Sequence, residues 1–186
     1  LRAGDRVLII GGGAIGLLCA AWAKISGASF VSVSEINAMR RSTVAGTVDI
    51  DAVYDAGDPE IVRKMKKESR GGYEIAIDTS ASEAGINMAL KVLKWHGRLV
   101  LTGIVMRPQK ISTILYIMKE IEQKAAIGYF TAEFDLATAF ISDKKLTVGN
   151  IVTRTVGFKE VQNVFEQLSS GTSSDIKIAV QKKSFL

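Results

Sequence analysis

The chain has 186 residues, 47% of them hydrophobic and 23% charged, a mix that supports one sizeable core and excludes collagen-like, disordered and disulfide-rich classes. Twenty-four Lys and Arg against 19 Asp and Glu leave a net charge of +5, too mild and too free of interleaved aromatics to indicate a nucleic-acid partner. With Cys19 and His96 as the single cysteine and histidine, an internal disulfide and a Cys/His zinc site are both excluded, and a reducing, cytoplasmic setting is expected.

The uncharged run Val7–Ala23 follows Arg2 and Arg6 and imitates a signal peptide. It is also shorter than the ~20 residues of a membrane span. Asp5 and the glycines Gly11 to Gly13 fit a strand, a tight turn and a helix better. The opening Leu1 leads us to expect a piece of a longer chain.

Arg6–Ile10 reads as a buried strand, a continuous apolar run ending at glycine. A helix is expected over Ala14–Ser26, a second strand over Phe30–Ser34, a short helix over Asn37–Val44 and a third strand over Ala52–Asp55. Asp58 is placed as the cap of a helix beginning at Pro59. That helix carries the densest basic run, Arg63 to Arg70, read as a solvated face. Tyr73–Asp78 forms a fourth strand, Ser82 caps a helix over Glu83–Trp95, and Arg98–Thr102 forms a fifth strand after Gly97. Ile104–Gln123 holds a partly buried helix, and Lys124–Gly128 a sixth strand. Thr131 caps a helix over Ala132–Ser142. A further helix over Lys159–Ser169 and an alternating segment over Asp175–Gln181 close the chain.

Strands that alternate with helices predict an α/β fold, a doubly wound parallel sheet of about six strands with a C-terminal helix-strand extension. The expected division is residues 1–147 for the sheet domain and 148–186 for the extension. In such sheets ligands bind beyond the C-terminal ends of the strands.

Immediately after the first strand stands Gly11-Gly12-Gly13-Ala14-Ile15-Gly16, a G-x-G-x-x-G that opens a helix. Glu35 answers it about 20 residues further on, at the end of the second strand, which is the context of a dinucleotide fingerprint. Gly11 allows the tight turn, Gly13 admits a pyrophosphate, and Gly16 lets the helix pack on the sheet. The helix start offers free N–H groups and a partial positive charge. Glu35 is placed to accept hydrogen bonds from the adenosine ribose, which favours NAD over NADP. Arg40 lies one helical turn on and is expected against the adenosine. Ser80 and Thr102-Gly103-Ile104 follow the fourth and fifth strands and are expected at the ribose and the nicotinamide. Asp78 lacks a neighbouring base or nucleophile and reads as structural. His96 precedes its strand and reads as a surface residue, and Cys19 as a packed small hydrophobe.

In combination these segments resemble the cofactor-binding (Rossmann) half of the medium-chain, zinc-type alcohol and polyol dehydrogenases, with the sorbitol, butanediol and threonine branch nearest. The resemblance runs through Gly4-Asp5-Arg6-Val7-Leu8-Ile9, the glycine turn, Ser34-Glu35-Ile36-Asn37, Asp78-Thr79-Ser80 and Gly97 to Ile104. Phe158-Lys159-Glu160-Val161 with Val164-Phe165, then Asp175-Ile176-Lys177-Ile178-Ala179-Val180, complete it. It implies an NAD-binding domain serving hydride transfer from a secondary alcohol, with Ile15 against the nicotinamide and Ile36 and Arg40 flanking the adenine. It also implies a homo-oligomer joined through the Lys124–Phe130 edge. The family's catalytic zinc domain is missing, so this chain has no catalytic or metal residues of its own and is expected to be inactive alone. The alternative is a non-catalytic nucleotide-sensing module, which would lack the Gly97-to-Ile104 segment and the closing pattern. A methyltransferase would carry an acid where Ile9-Ile10 stand, and a short-chain dehydrogenase needs a Tyr-x-x-x-Lys pair that Tyr116 and Lys119 are too close to form.

Overall fold

A computed structural model of the chain describes residues 1–182. β1 (Arg6–Ile10), β2 (Phe30–Glu35), β3 (Ala52–Asp55), β4 (Tyr73–Asp78), β5 (Leu93–Leu101) and β6 (Glu122–Ala125) form one sheet in the order β3-β2-β1-β4-β5-β6. Every pairing in it is parallel. Parallel strands need helical crossovers, supplied by α1 (Ala14–Ile25), α2 (Ala38–Thr47), α3 (Ile61–Glu68), α4 (Glu83–Val92) and α5 (Thr113–Lys119).

The strands are apolar on both sides because both faces are covered. Leu8, Ile10, Ala76 and Leu99 face α3 and α4 through Met65, Ala89 and Leu90. Val7, Ile9, Val31 and Val33 face α1 and α2 through Leu17, Ala20 and Val44. The chain order reverses between β1 and β4, so their diverging crossovers leave a crevice at the strand ends.

Several boundaries differ from the sequence expectation. α4 stops at Val92 rather than Trp95, because Leu93 turns extended and pairs with Tyr73. The register then jumps to Ile75 opposite Arg98, and His96 takes a φ of 56° in the intervening bulge. The sixth strand is displaced towards the N-terminus, to Glu122–Ala125, since Arg98 to Leu101 of β5 fix its register. The third helix begins at Ile61. Asp58 makes a turn before it, its carbonyl accepting Ile61 N at 3.0 Å and its carboxylate Glu60 N at 2.8 Å.

After α6 (Thr131–Ser142) comes a strand not anticipated from the sequence, β7 (Val152–Val156). It pairs in parallel with β8 (Lys177–Val180) across α7 (Val161–Ser169). The extension is tied to the sheet domain. Ile151 is buried among the α1-side core residues, and Asn37 Nδ2 donates to Gly171 O at 3.1 Å. Residues 183–186 of the expected extension lie outside the described residues. Among the described residues, no helix is long and apolar enough to cross a membrane.

Candidate functional site: a cleft at the β1/β4 switch point

The glycine turn is built by close approach. Gly11 has a φ of +102°, and a Cβ at Gly16 would lie 2.0 Å from the Gly11 carbonyl oxygen. A Cβ at Gly12 would meet Val44 at 2.7 Å. Gly13 differs, since nothing lies within 4 Å of its Cβ position. Gly13 is the N-cap of α1, with no side-chain capping bond and no acidic residue in the first turn. The N–H groups of Ala14, Ile15 and Gly16 therefore have no intrahelical acceptor and carry the positive end of the helix dipole beside the turn.

Glu35 is almost wholly buried beside this turn, its side chain 4% exposed. Oε2 accepts Gly12 N at 2.9 Å, and Oε1 accepts Asn37 N at 2.8 Å and Arg40 Nη2 at 3.1 Å. A carboxylate has about four acceptor positions, so a position on Oε2 stays available for a hydroxyl. Arg40 is thus neither an exposed charge nor a free one. Its guanidinium neutralises Glu35 at the wall of the cleft. Arg41 is held by Asp55 at 2.8 Å and by the Glu35 and Ile36 carbonyls at 3.1 and 2.9 Å.

A cleft of about 700 Å³ opens beside the turn. Of the expected site residues, Gly11, Gly13, Glu35, Ile36, Arg40 and Ser80 line it. Gly12 and Gly16 lie behind the turn as packing positions, while Ala14 and Ile15 belong to the first turn of α1, with Ile15 58% exposed. Thr102, Gly103 and Ile104 lie outside the cleft lining. The backbone N–H groups of Thr102 and Gly103 are tied to Asp78 O at 2.9 and 3.0 Å, and Ile104 is exposed. The structure thus brings six of the expected residues together in a cleft that spans the ends of β2, β1 and β4, and leaves Thr102 to Ile104 outside it, after β5.

The far wall contains residues without a local sequence signal: Pro59, Ile61, Val62, Asn87 and Met88. Ser34 lies at the floor, and its buried Oγ has no partner among the described residues. An orphaned buried hydroxyl is costly, and its place here fits a cleft that receives a polar ligand. Asp78 is structural. Its buried carboxylate accepts Ser80 N at 3.1 Å, Ser80 Oγ at 2.7 Å and Ala81 N at 3.2 Å.

His96 lies at the opposite edge, 3.3 Å from Glu120. Burial pushes the Cys19 thiol up, which keeps it protonated within α1. In the basic run on α3, Arg63 pairs with Glu60 at 2.6 Å and Lys64 pairs with Asp58. Among the described residues no group of three or more His, Cys, Asp or Glu side chains is placed to hold a metal ion.

Residues 14–143 match the family model described as zinc-binding dehydrogenase. A probable D-xylulose reductase A of Aspergillus niger is 27% identical over 183 residues, covering 96% of this chain and 51% of that protein. The 2R,3R-butanediol dehydrogenase of Bacillus subtilis superposes with a TM-score of 0.84 at 22% identity, covering 98% of this chain and 52% of that one. An Escherichia coli alcohol dehydrogenase crystallised with NADH gives a TM-score of 0.82 at 17% identity, covering 96% and 52%. The chain spans about half the length of the curated relatives it matches.

Proposed function

The chain belongs to the zinc-binding dehydrogenase family, and from that premise we propose that it is the NAD-binding half of an alcohol or polyol dehydrogenase acting on a secondary alcohol or its ketone. The observation that carries this reading is the empty space at Gly13, framed by the uncapped start of α1 and by Glu35. This reading puts the pyrophosphate against the open Gly13 and the adenosine diol on the remaining acceptor position of Oε2. When bound, the nicotinamide supplies the hydride acceptor.

This chain's own residues bind and orient. Gly11 to Gly16 hold the pyrophosphate, with Ile15 against the nicotinamide. Glu35 grips the ribose, Ile36 and Arg40 flank the adenine, and Ser80 meets the ribose. Thr102 to Ile104 meet the nicotinamide end. Among the described residues no cluster fits a zinc site, and this reading assigns zinc and substrate to a further half of the enzyme. The extension from residue 148 packs against that half, and homo-oligomers form through the Lys124–Phe130 edge. The unpaired Cys19 fits a reducing cytoplasm.

NAD is favoured over NADP because a 2′-phosphate ~4 Å from Glu35 meets repulsion of about 4 kcal/mol per unit charge at an effective dielectric of 20. Arg40 and Arg41 offset only part of it, because each is already paired with a carboxylate, Arg40 with Glu35 and Arg41 with Asp55. Calorimetric titration of the chain should give NAD binding at least about tenfold tighter than NADP, a difference of ~1.4 kcal/mol. Tighter NADP binding would overturn the cofactor assignment. With simple secondary alcohols and NAD the 186-residue chain should show no turnover, and measurable turnover would refute the division of labour.

A further inference from the structure

The loop that leaves β5 is anchored at both ends, and its far anchor lies on a different element. At its start it hangs from Asp78 O through Thr102 and Gly103. At its end the amide of Asn87, on α4, grips two backbone groups. Nδ2 donates to Lys110 O at 2.8 Å, and Oδ1 accepts Ser112 N at 2.9 Å. Two further bonds reinforce the clasp. Glu83 Oε2 accepts Lys110 N at 2.9 Å, and Gln109 Nε2 donates to Ala81 O at 2.8 Å. Between the anchors Ile104 and Met106 are 70% and 95% exposed.

Asn is a poor helix former because its side chain competes with the backbone for hydrogen bonds. At position 87 that competition is put to use, since an amide carries its donor and its acceptor on two separate atoms and so holds a carbonyl and an N–H at once. Asn87 also lines the cleft. The clasp therefore joins the cleft wall to a loop on the β4–β5 side of the switch point, whereas Glu35 lies on the β2 side. A dinucleotide whose adenosine is held at Glu35 extends its other end towards this loop.

We infer that Asn87 is a positioning residue for the nicotinamide end of the cofactor, fixing the loop between Gly103 and Lys110 so that Ile104 is presented to the ring. The inference rests on the NAD reading above and goes beyond it by assigning a role to a residue remote in sequence from the glycine turn. Asn87 acts through the loop and does not touch the reacting atoms.

The test compares NADH with ADP-ribose, which keeps the adenosine and pyrophosphate and lacks the ring. In the Asn87→Leu variant, NADH should bind about five- to tenfold more weakly, the loss of one or two modest hydrogen bonds. ADP-ribose affinity should change by less than about twofold over the same series. Gln109→Ala removes the clasp from the loop side and should reproduce the NADH-selective loss even if Asn87→Leu fails to fold. Equal weakening of both ligands, or no change in either, would overturn the inference while leaving the cofactor reading intact. A folded wild-type chain that binds neither ligand would overturn both.

Discussion

The first five strands and the segments after them use their apolar residues in opposite ways. In β1, Val7, Leu8 and Ile9 are 0% exposed, and the helices over them close both faces of the sheet. In β6 all four residues are exposed. Beyond it Phe130, Phe158 and Phe165 are 81%, 68% and 65% exposed. Both regions alternate strand and helix, yet only the first closes over its own core. Exposed apolar surface is what a contact site uses, so under the proposed function the first region binds the cofactor and the second is covered by another surface.

The sharpest way to break that contrast is at the glycines. Gly16→Val would place a side chain against the Gly11 carbonyl, 2.0 Å from the Cβ position. It should cost about 3 kcal/mol or more in thermal or urea unfolding and abolish NAD binding. Gly149→Ala, where nothing lies within 4 Å, should stay within about 0.5 kcal/mol. Next in size is the core itself. Leu8→Ala removes a side chain with 0% exposure and should cost about 2–5 kcal/mol. Phe165→Ala, at 65% exposure, should cost under about 1 kcal/mol in this chain. Equal costs for the two would contradict the division.

A smaller effect lies in the acid range. Burial alone would raise the pKa of Asp51, but its bonds to Lys24 and Val31 N outweigh burial and hold it below the usual carboxylate range. Glu74 behaves likewise through Lys94 and Arg6 N. Carboxylates whose folded pKa is lowered contribute stability that is full above about pH 4, their unfolded range, and is lost as pH falls through the folded values. Thermal melts from neutral to acid pH should show this loss. Asp51→Asn and Glu74→Gln should each flatten it by under about 1 kcal/mol, as partly exposed pairs do. A midpoint that stays constant down to pH 3 would show that these pairs do not act.

How much was legible in the sequence follows the same line. β1 and β4 begin and end where expected because each is a largely buried run inside the sheet, whereas β3 lies at its edge with only Tyr54 buried and is bracketed by Asp51 and Asp55. The glycine turn and Glu35 were legible because their spacing is local to one β-α-β unit. The start of β5 was hidden, since Leu93, Lys94 and Trp95 continue a helical pattern until pairing with Tyr73 overrides it. β6 was misplaced because Ala125 to Ile127 is the more apolar stretch, while register is dictated by β5. The pairing of Arg40 with Glu35 and the clasp of Asn87 on Lys110 and Ser112 join groups that no periodicity links.

The most direct measurement is a crystal structure of the chain grown with NAD. The account predicts the pyrophosphate over Gly13 at the start of α1, the adenosine diol on Glu35 Oε2 and the nicotinamide end beside Ile104. Density for the dinucleotide elsewhere, or a well-ordered cleft left empty at saturating NAD, would contradict it.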